Sequence, residues 1–165
     1  MSDVSPPLAL LAEITHRCPL GCPYCSNPLE LERASGELDT EIWLRVLDEA
    51  VKLGVLQVHF SGGEPTVRKD LERLVRGCSE AGLYTNLITS GVLLDETRIA
   101  ALVEAGLEHL QLSFQDSEKA GGDHIGGYKG GHIKKIEVAR LVRKAGLLLT
   151  LNMVVHRQNL HNLPD

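Results

Sequence analysis

The chain has 165 residues and a formal net charge of −5, and its 43% hydrophobic and 24% charged residues are close to those of an ordinary globular domain. Because the net charge is negative and no stripe of basic residues is present, the sequence lacks the positive surface expected of a nucleic-acid-binding protein. The longest apolar runs, such as Leu147 to Leu151, are far shorter than the roughly 20 residues of a membrane span, and no signal peptide is recognisable. We therefore expect a cytoplasmic protein, in reducing surroundings where clustered cysteines bind metal more often than they form disulfides.

Short apolar runs alternate with helical patterns along the chain, which is typical of βα units around a parallel sheet. In chain order, the predicted elements are strand Leu8–Ile14, helix Asp39–Lys52, strand Val55–Phe60, helix Arg68–Ala81, strand Tyr84–Thr89, helix Asp95–Ala105, strand Leu107–Phe114, helix His132–Ala145 and strand Leu147–Val155. The glycine-rich segment from Asp116 to Gly131 breaks this alternation and is predicted to be a mobile lid or substrate loop. Five strands are too few for a closed eight-stranded barrel.

The most informative motif is a group of three cysteines directly after the first predicted strand. Cys18, Cys22 and Cys25 are spaced C-x3-C-x2-C. A closed zinc site and an electron-transfer 4Fe-4S cluster each take four protein ligands. Three thiolates on a four-iron cluster leave one iron open to a small molecule, so the site is interpreted as reactive. A zinc site completed by a histidine such as His16 remains the alternative.

The fourth cysteine is predicted to have a different role. Cys78 falls on one face of a predicted helix with Leu71, Leu74 and Val75, at i, i+3, i+4 and i+7. A buried, apolar thiol in the core is the expected outcome.

A second motif follows the second predicted strand, at Gly62, Gly63, Glu64 and Pro65. Paired glycines allow a ligand to approach the backbone closely, and a glutamate can accept a charge-assisted hydrogen bond from an ammonium group. The alternative is an ordinary strand-to-helix turn with Pro65 near the start of a helix.

Further polar residues lie near the ends of the later strands, which would face the same mouth as both motifs. Thr89, Ser90 and Ser113 carry small hydroxyl groups that either bond within their turns or contact a ligand. Asn152 lies in an apolar strand and needs a partner if it is buried, either a neighbouring backbone group or a ligand.

Together, the two motifs resemble those of the radical S-adenosyl-L-methionine (SAM) superfamily. The resemblance implies an α/β fold, an open, partial (β/α)6 TIM-like barrel of which about five βα units are present here. It implies a 4Fe-4S cluster on Cys18, Cys22 and Cys25, and no catalytic residue beyond these ligands. The residues expected to bind SAM are Tyr24, beside the adenine, and Gly62, Gly63, Glu64, Pro65, Thr89, Ser90, Ser113 and Asn152.

Longer stretches resemble one family within this superfamily, the PqqA peptide cyclases of pyrroloquinoline quinone (PQQ) biosynthesis. The strings Cys25-Ser-Asn-Pro28 and Ser113-Phe-Gln-Asp116 are the most specific to it. The resemblance implies reductive cleavage of SAM to a 5′-deoxyadenosyl radical, which crosslinks glutamate and tyrosine side chains of the precursor peptide PqqA. It also implies the peptide chaperone PqqD and an electron donor such as a flavodoxin as partners.

Members of that family continue into a cysteine-rich C-terminal SPASM domain, and this chain has no cysteine after Cys78. Residues 1–165 are therefore interpreted as a truncated radical SAM core domain that does not catalyse the full reaction alone. Two alternatives stay open, namely another radical SAM peptide maturase and a non-catalytic fragment that binds zinc or an iron–sulfur cluster.

Overall fold

The structure is a computed structural model that describes residues 5–27 and 36–163, so that Pro28 of the Cys-Ser-Asn-Pro string lies outside the described residues. Its centre is a sheet of five parallel strands in the order β1-β2-β3-β4-β5. The strands are β1 (Ala9–Thr15), β2 (Gln57–Gly62), β3 (Tyr84–Thr89), β4 (His109–Phe114) and β5 (Leu148–Met153). The predicted strands and their parallel order are confirmed, with ends that differ by up to two residues.

Helices connect each strand to the next. They are α1 (Thr40–Lys52), α2 (Leu71–Glu80), α3 (Glu96–Glu104), α4 (Lys119–Gly126) and α5 (Gly131–Lys144), with short 3-10 helices at Pro65–Val67 and Leu160–Asn162. Asp39 and Asp95 cap α1 and α3 by accepting the backbone N–H of Ile42 and Arg98, both at 2.8 Å. None of the helices within residues 5–27 and 36–163 is long and apolar enough to cross a membrane.

The segment predicted as a mobile loop contains α4, so this prediction was wrong. Gly121 allows this helix, whose intrinsic propensity is poor, to lie close to Asp116. A Cβ at this position would lie 2.0 Å from Asp116 Oδ2, so only glycine lets the helix pack this closely on the end of β4. Packing of this segment against the rest of the fold therefore outweighs its low intrinsic propensity for helix.

The start of α2 also differs from its prediction at Arg68. Arg68 has extended backbone dihedral angles, and its guanidinium donates to the carbonyls of Ile14 (2.9 Å) and Leu38 (3.0 Å). The helix therefore begins only at Leu71.

The hydrophobic core lies between the sheet and the helices. Its fully buried members include Val58, Phe60, Leu87 and Leu110 from the strands, and Cys78 from α2. The core position predicted for Cys78 is confirmed. The positions with which it shares a helix face are also fully buried.

Candidate functional site

A cavity of about 170 Å³ opens at the carboxyl ends of the strands and brings most of the predicted residues together. Of the predicted residues, those that line it are Cys18, Cys22, Tyr24, Cys25, Gly62, Gly63, Thr89, Ser90, Ser113 and Asn152. The rest of its wall comes from Leu20, Ser61, Ile88, Phe114, Gln115 and Val154. Glu64 and Pro65 are not part of this wall and are both buried.

The cysteine loop follows β1 and is held by hydrogen bonds along its length. Within the motif, the N–H of Cys25 donates to the carbonyl of Cys22 at 3.0 Å, and the N–H of Asn27 donates to Cys25 Sγ at 3.4 Å. The N–H of Gly21 donates to the carbonyl of Gly126 at 2.9 Å, which ties the loop to the end of α4. All three cysteines are free thiols.

The turn that begins at Gly62 is bonded directly to the start of the cysteine loop. The N–H of Gly63 donates to the carbonyl of Thr15 at 2.7 Å, and that of Glu64 donates to the carbonyl of Arg17 at 2.8 Å. Gly62 has a φ of 124°, and a Cβ there would lie 2.1 Å from the carbonyl oxygen of Thr15. Glycine is therefore required for this approach, and both motifs share one rigid backbone frame.

The side chain of Glu64 is turned into the protein, with no exposed surface. One carboxylate oxygen accepts the N–H (3.0 Å) and hydroxyl (2.6 Å) of Thr66 and the hydroxyl of Thr89 (2.6 Å). The other accepts the N–H (2.7 Å) and the hydroxyl of Ser90. Direct contact between this carboxylate and a ligand ammonium is thus not supported by the geometry. The hydroxyls of Thr89 and Ser90 are also engaged, because both donate to Glu64, and that of Thr89 in addition accepts the N–H of Gly91 at 2.9 Å within its own turn.

Two arginine side chains donate hydrogen bonds to backbone carbonyls around the same turn. Arg98 of α3 donates to the carbonyl of Thr66 and, at 2.7 Å, to that of Arg68. Arg68 in turn bonds the carbonyl of Ile14, near the end of β1. The ends of β1 and β2 are therefore fixed to each other by side chains as well as by the sheet.

The three cysteine thiols on the cavity wall are the candidate ligands of a metal centre. Among residues 5–27 and 36–163, no three His, Cys, Asp or Glu side chains converge on one metal-ion position. His16, the candidate fourth zinc ligand, has its Nδ1 3.1 Å from Asn27 Oδ1. Burial raises the pKa of Cys18 to about 11 and also raises the pKa of Cys22. These thiols must therefore lose protons on binding iron, for which thiolate sulfur is a favoured ligand.

Tyr24 lies at the edge of the cavity, with its ring centroid 5.0 Å from that of His156. Burial raises the pKa of its hydroxyl to about 12, so it stays protonated at neutral pH. This placement is compatible with the predicted position beside an adenine.

One hydrogen-bonded pair of residues at the cavity, Gln115 and Lys135, was not predicted from the sequence to belong to the site. Gln115 lines the wall just after β4, and its side-chain oxygen accepts a hydrogen bond from Lys135 of α5. The sequence does contain a pattern that indicates burial of Lys135, because this residue shares a helix face with the buried residues Val138 and Val142. A lysine within such an apolar stripe is a buried cation that needs an explanation.

Asp123 is bound to the start of α5. Its carboxylate accepts the N–H of Gly130 at 2.7 Å and that of His132 at 2.9 Å, and these bonds lower its pKa. Asp123 is therefore a capping residue that joins α4 to α5.

The chain is similar in sequence to curated proteins of one name. "PqqA peptide cyclase" of Granulibacter bethesdensis is 62% identical over 164 residues, covering 99% of this chain and 44% of the relative. The protein of the same name from Rhodopseudomonas palustris is 65% identical over 159 residues, covering 96% of this chain and 42% of the relative. The chain thus spans less than half the length of these relatives.

Solved structures and a family profile agree with this similarity. Streptococcus suis SuiB bound to S-adenosylmethionine superposes with a TM-score of 0.83 at 25% identity, covering 96% of this chain and 36% of that one. SuiB bound to the precursor peptide SuiA gives a TM-score of 0.82 at 25% identity, over 96% of this chain and 35% of that one. Residues 12–165 match the profile of the radical SAM superfamily, whose members use a 4Fe-4S cluster and SAM. With nearly its whole length covered by that profile, the chain belongs to the radical SAM superfamily.

Proposed function

We propose that this chain is the radical SAM core of an enzyme that crosslinks glutamate and tyrosine side chains of the PqqA precursor peptide in PQQ biosynthesis. The observation that carries the proposal is the single cavity lined by Cys18, Cys22 and Cys25 on one side and by Gly62 and Gly63 on the other. The 62% and 65% identity to proteins named PqqA peptide cyclase supports the choice of substrate.

In this proposal Cys18, Cys22 and Cys25 hold a 4Fe-4S cluster and leave one iron open for SAM. When bound and reduced, the cluster and SAM supply the one-electron chemistry that removes a hydrogen atom from an unactivated carbon. The backbone at Gly62 and Gly63 offers carbonyl oxygens to the ammonium group of SAM.

The other predicted contacts have supporting roles. We assign Tyr24, Ser113 and Asn152 to the adenosine and carboxylate parts of SAM, because their side chains lie on the cavity wall. Glu64 and Pro65 act indirectly, since they shape the turn, and Glu64 also fixes Thr89 and Ser90. The apolar wall residues Leu20, Ile88 and Phe114 limit the access of water to this cavity.

The partners follow from the same assignment. We propose PqqA as substrate, the chaperone PqqD as the protein that presents it, and a flavodoxin-like protein as electron donor. Residues 1–165 form the core domain, with a SPASM domain completing the full-length enzyme in the cytoplasm.

The experiment that tests the cofactor assignment is electron paramagnetic resonance of the complete protein, reconstituted anaerobically and reduced with dithionite. We expect a signal of a reduced 4Fe-4S cluster that changes when SAM is added. That signal is absent in Cys22→Ala and retained in Cys78→Ala, the matched cysteine in the core. About one zinc per chain without sulfide would instead favour the zinc-binding alternative.

The substrate is tested by the mass of PqqA after turnover with PqqD and reductant. A crosslink between glutamate and tyrosine carbons removes two hydrogen atoms, so we expect a loss of about 2 Da. An unmodified peptide from a protein that does cleave SAM would contradict the PQQ assignment and favour another peptide maturase.

A further inference from the structure

Lys135 is a buried cation that the function described so far does not use. Only 2% of its surface is exposed, although α5 otherwise faces the sheet with apolar residues such as Val138 and Val142. Its Nζ donates to the carbonyl of Ser113 at 2.9 Å and to the side-chain oxygen of Gln115. Both partners are neutral, whereas a buried lysine is usually paired with a carboxylate.

The two partners of Lys135 locate its charge directly behind the cavity. Ser113 and Gln115 both belong to the cavity wall, together with Cys18 and Cys22. Burial lowers the pKa of Lys135 to about 8, and the negative charges of Cys22, Glu64, Cys18 and Asp123 in their ionised forms act in the opposite direction. The ammonium form thus predominates at neutral pH, close to the sulfurs that would carry the metal.

Two arginines near the site already have anionic partners. Arg17 forms an ion pair with Glu37 at 2.9 Å, and Arg68 forms one with Asp70 at 2.6 Å. The charge of Lys135 is not balanced by its hydrogen-bonding partners. It is available for an anion formed inside the cavity.

Such an anion arises as soon as the metal centre proposed above is assembled. Cysteine ligands bind iron as thiolates, and three thiolates outweigh the positive charge of a four-iron core. One-electron reduction adds a further negative charge, which costs free energy in a buried site unless a cation lies nearby.

We propose that Lys135 is the built-in counter-charge of the metal centre and raises the reduction potential of the cluster held by Cys18, Cys22 and Cys25. It is a positioning residue that acts through space and through Gln115. One electron enters the centre from an external one-electron reductant, while the ammonium of Lys135 keeps its proton and forms no covalent bond. The inference rests on the proposed function, because it requires a cluster at this site.

The test is an anaerobic redox titration of the complete protein without SAM, followed by electron paramagnetic resonance. The relevant signal is the one that Cys22→Ala lacks. We compare Lys135→Met and Lys135→Gln, which are neutral, with Lys135→Arg, which keeps the charge. Lys134→Met is the matched control, because it removes a charge from a neighbouring side chain that is only partly buried and pairs with Glu137.

In the neutral variants we expect the midpoint potential to become more negative. At a fixed applied potential, the ratio of reduced to oxidised cluster falls about tenfold, as expected when one charge is removed from a partly screened interior near the centre. Lys135→Arg and Lys134→Met keep the parental midpoint. Gln115→Glu, which gives Lys135 a carboxylate partner and retains its shape, shifts the midpoint in the same direction as the neutral variants.

An unchanged midpoint in Lys135→Gln or Lys135→Met with parental iron content and circular dichroism would overturn the inference. So would a loss of SAM affinity with no change in midpoint, which would mean that Lys135 contacts the carboxylate of SAM instead. Absence of any cluster in the parental protein would contradict the proposed function itself, which makes the two failures distinguishable.

Discussion

The Glu64 carboxylate connects the ends of two neighbouring strands. It follows β2 and accepts hydrogen bonds from Thr66 in its own turn and from Thr89 and Ser90 at the end of β3. A fully buried carboxylate is stable only when donors surround it in this way. The residue thereby fixes the spacing between two parts of the cavity wall.

We expect Glu64→Gln to lower the free energy of unfolding of the metal-free chain by about 3 kcal/mol. The substitution keeps the size of the side chain but replaces one oxygen with an NH2 group. That group cannot accept the hydrogen bonds that Ser90 or Thr66 and Thr89 donate. Urea unfolding followed by circular dichroism measures the change.

The matched control is Glu49→Gln on α1, where the glutamate side chain is 69% exposed and pairs with Lys52. A change of no more than about 0.5 kcal/mol is expected there, as for most exposed ion pairs. Equal effects of the two substitutions would show that the hydrogen bonds of Glu64 contribute no special stability.

At the scale of elements, α4 and α5 are joined by Asp123. The two backbone N–H groups that it accepts lie at the start of α5, where a helix leaves its first donors without internal partners. Because α5 carries Lys135 and α4 contacts the cysteine loop through Gly126, this one carboxylate influences two parts of the site.

We expect Asp123→Ala to destabilise the metal-free chain by about 1 kcal/mol at pH 7, and Asp123→Asn to have a smaller effect because one oxygen remains as acceptor. The pKa of Asp123 is lowered in the folded state, so its stabilisation is complete above the ordinary aspartate value and is lost as the pH falls through the lowered one. Urea unfolding at pH 7 and pH 3 measures both. A difference between parent and Asp123→Ala that stays constant with pH would contradict this role.

The sequence predicted the βα alternation well because buried strands and amphipathic helices differ in the period of their apolar residues. It failed at α4, because a glycine-rich segment has a low local preference for helix, and the sequence pattern does not show that Gly121 packs closely against Asp116. The sequence also did not predict the direction in which the Glu64 side chain points. A motif specifies which residues follow a strand but not whether a carboxylate turns toward the cavity or toward Thr89 and Ser90.

At the scale of the whole molecule, the sheet is open. In the part of the chain that the structure describes, β1 pairs only with β2 and β5 only with β4, so both outer strands have an unpaired edge. Leu148 and Leu151 of β5 are each 60% exposed. Exposed apolar edge strands are a common route to association between chains.

We expect the 165-residue chain studied alone to self-associate as its concentration rises, and Leu151→Lys to reduce this association. Leu53→Lys is the matched control, because Leu53 is 63% exposed at the end of α1, away from β5. Size-exclusion chromatography with light scattering measures the molar mass. If both substitutions reduce association equally, the β5 edge is not specifically responsible.

The hydrogen bond from Gly21 to Gly126 bears on how the protein is made. It joins the first loop of the chain to a helix that follows the fourth strand. On the ribosome, the cysteines emerge long before α4 does. The loop therefore acquires this backbone contact only after α4 has left the exit tunnel, so the three cysteines reach their final arrangement only after β4 has been synthesised.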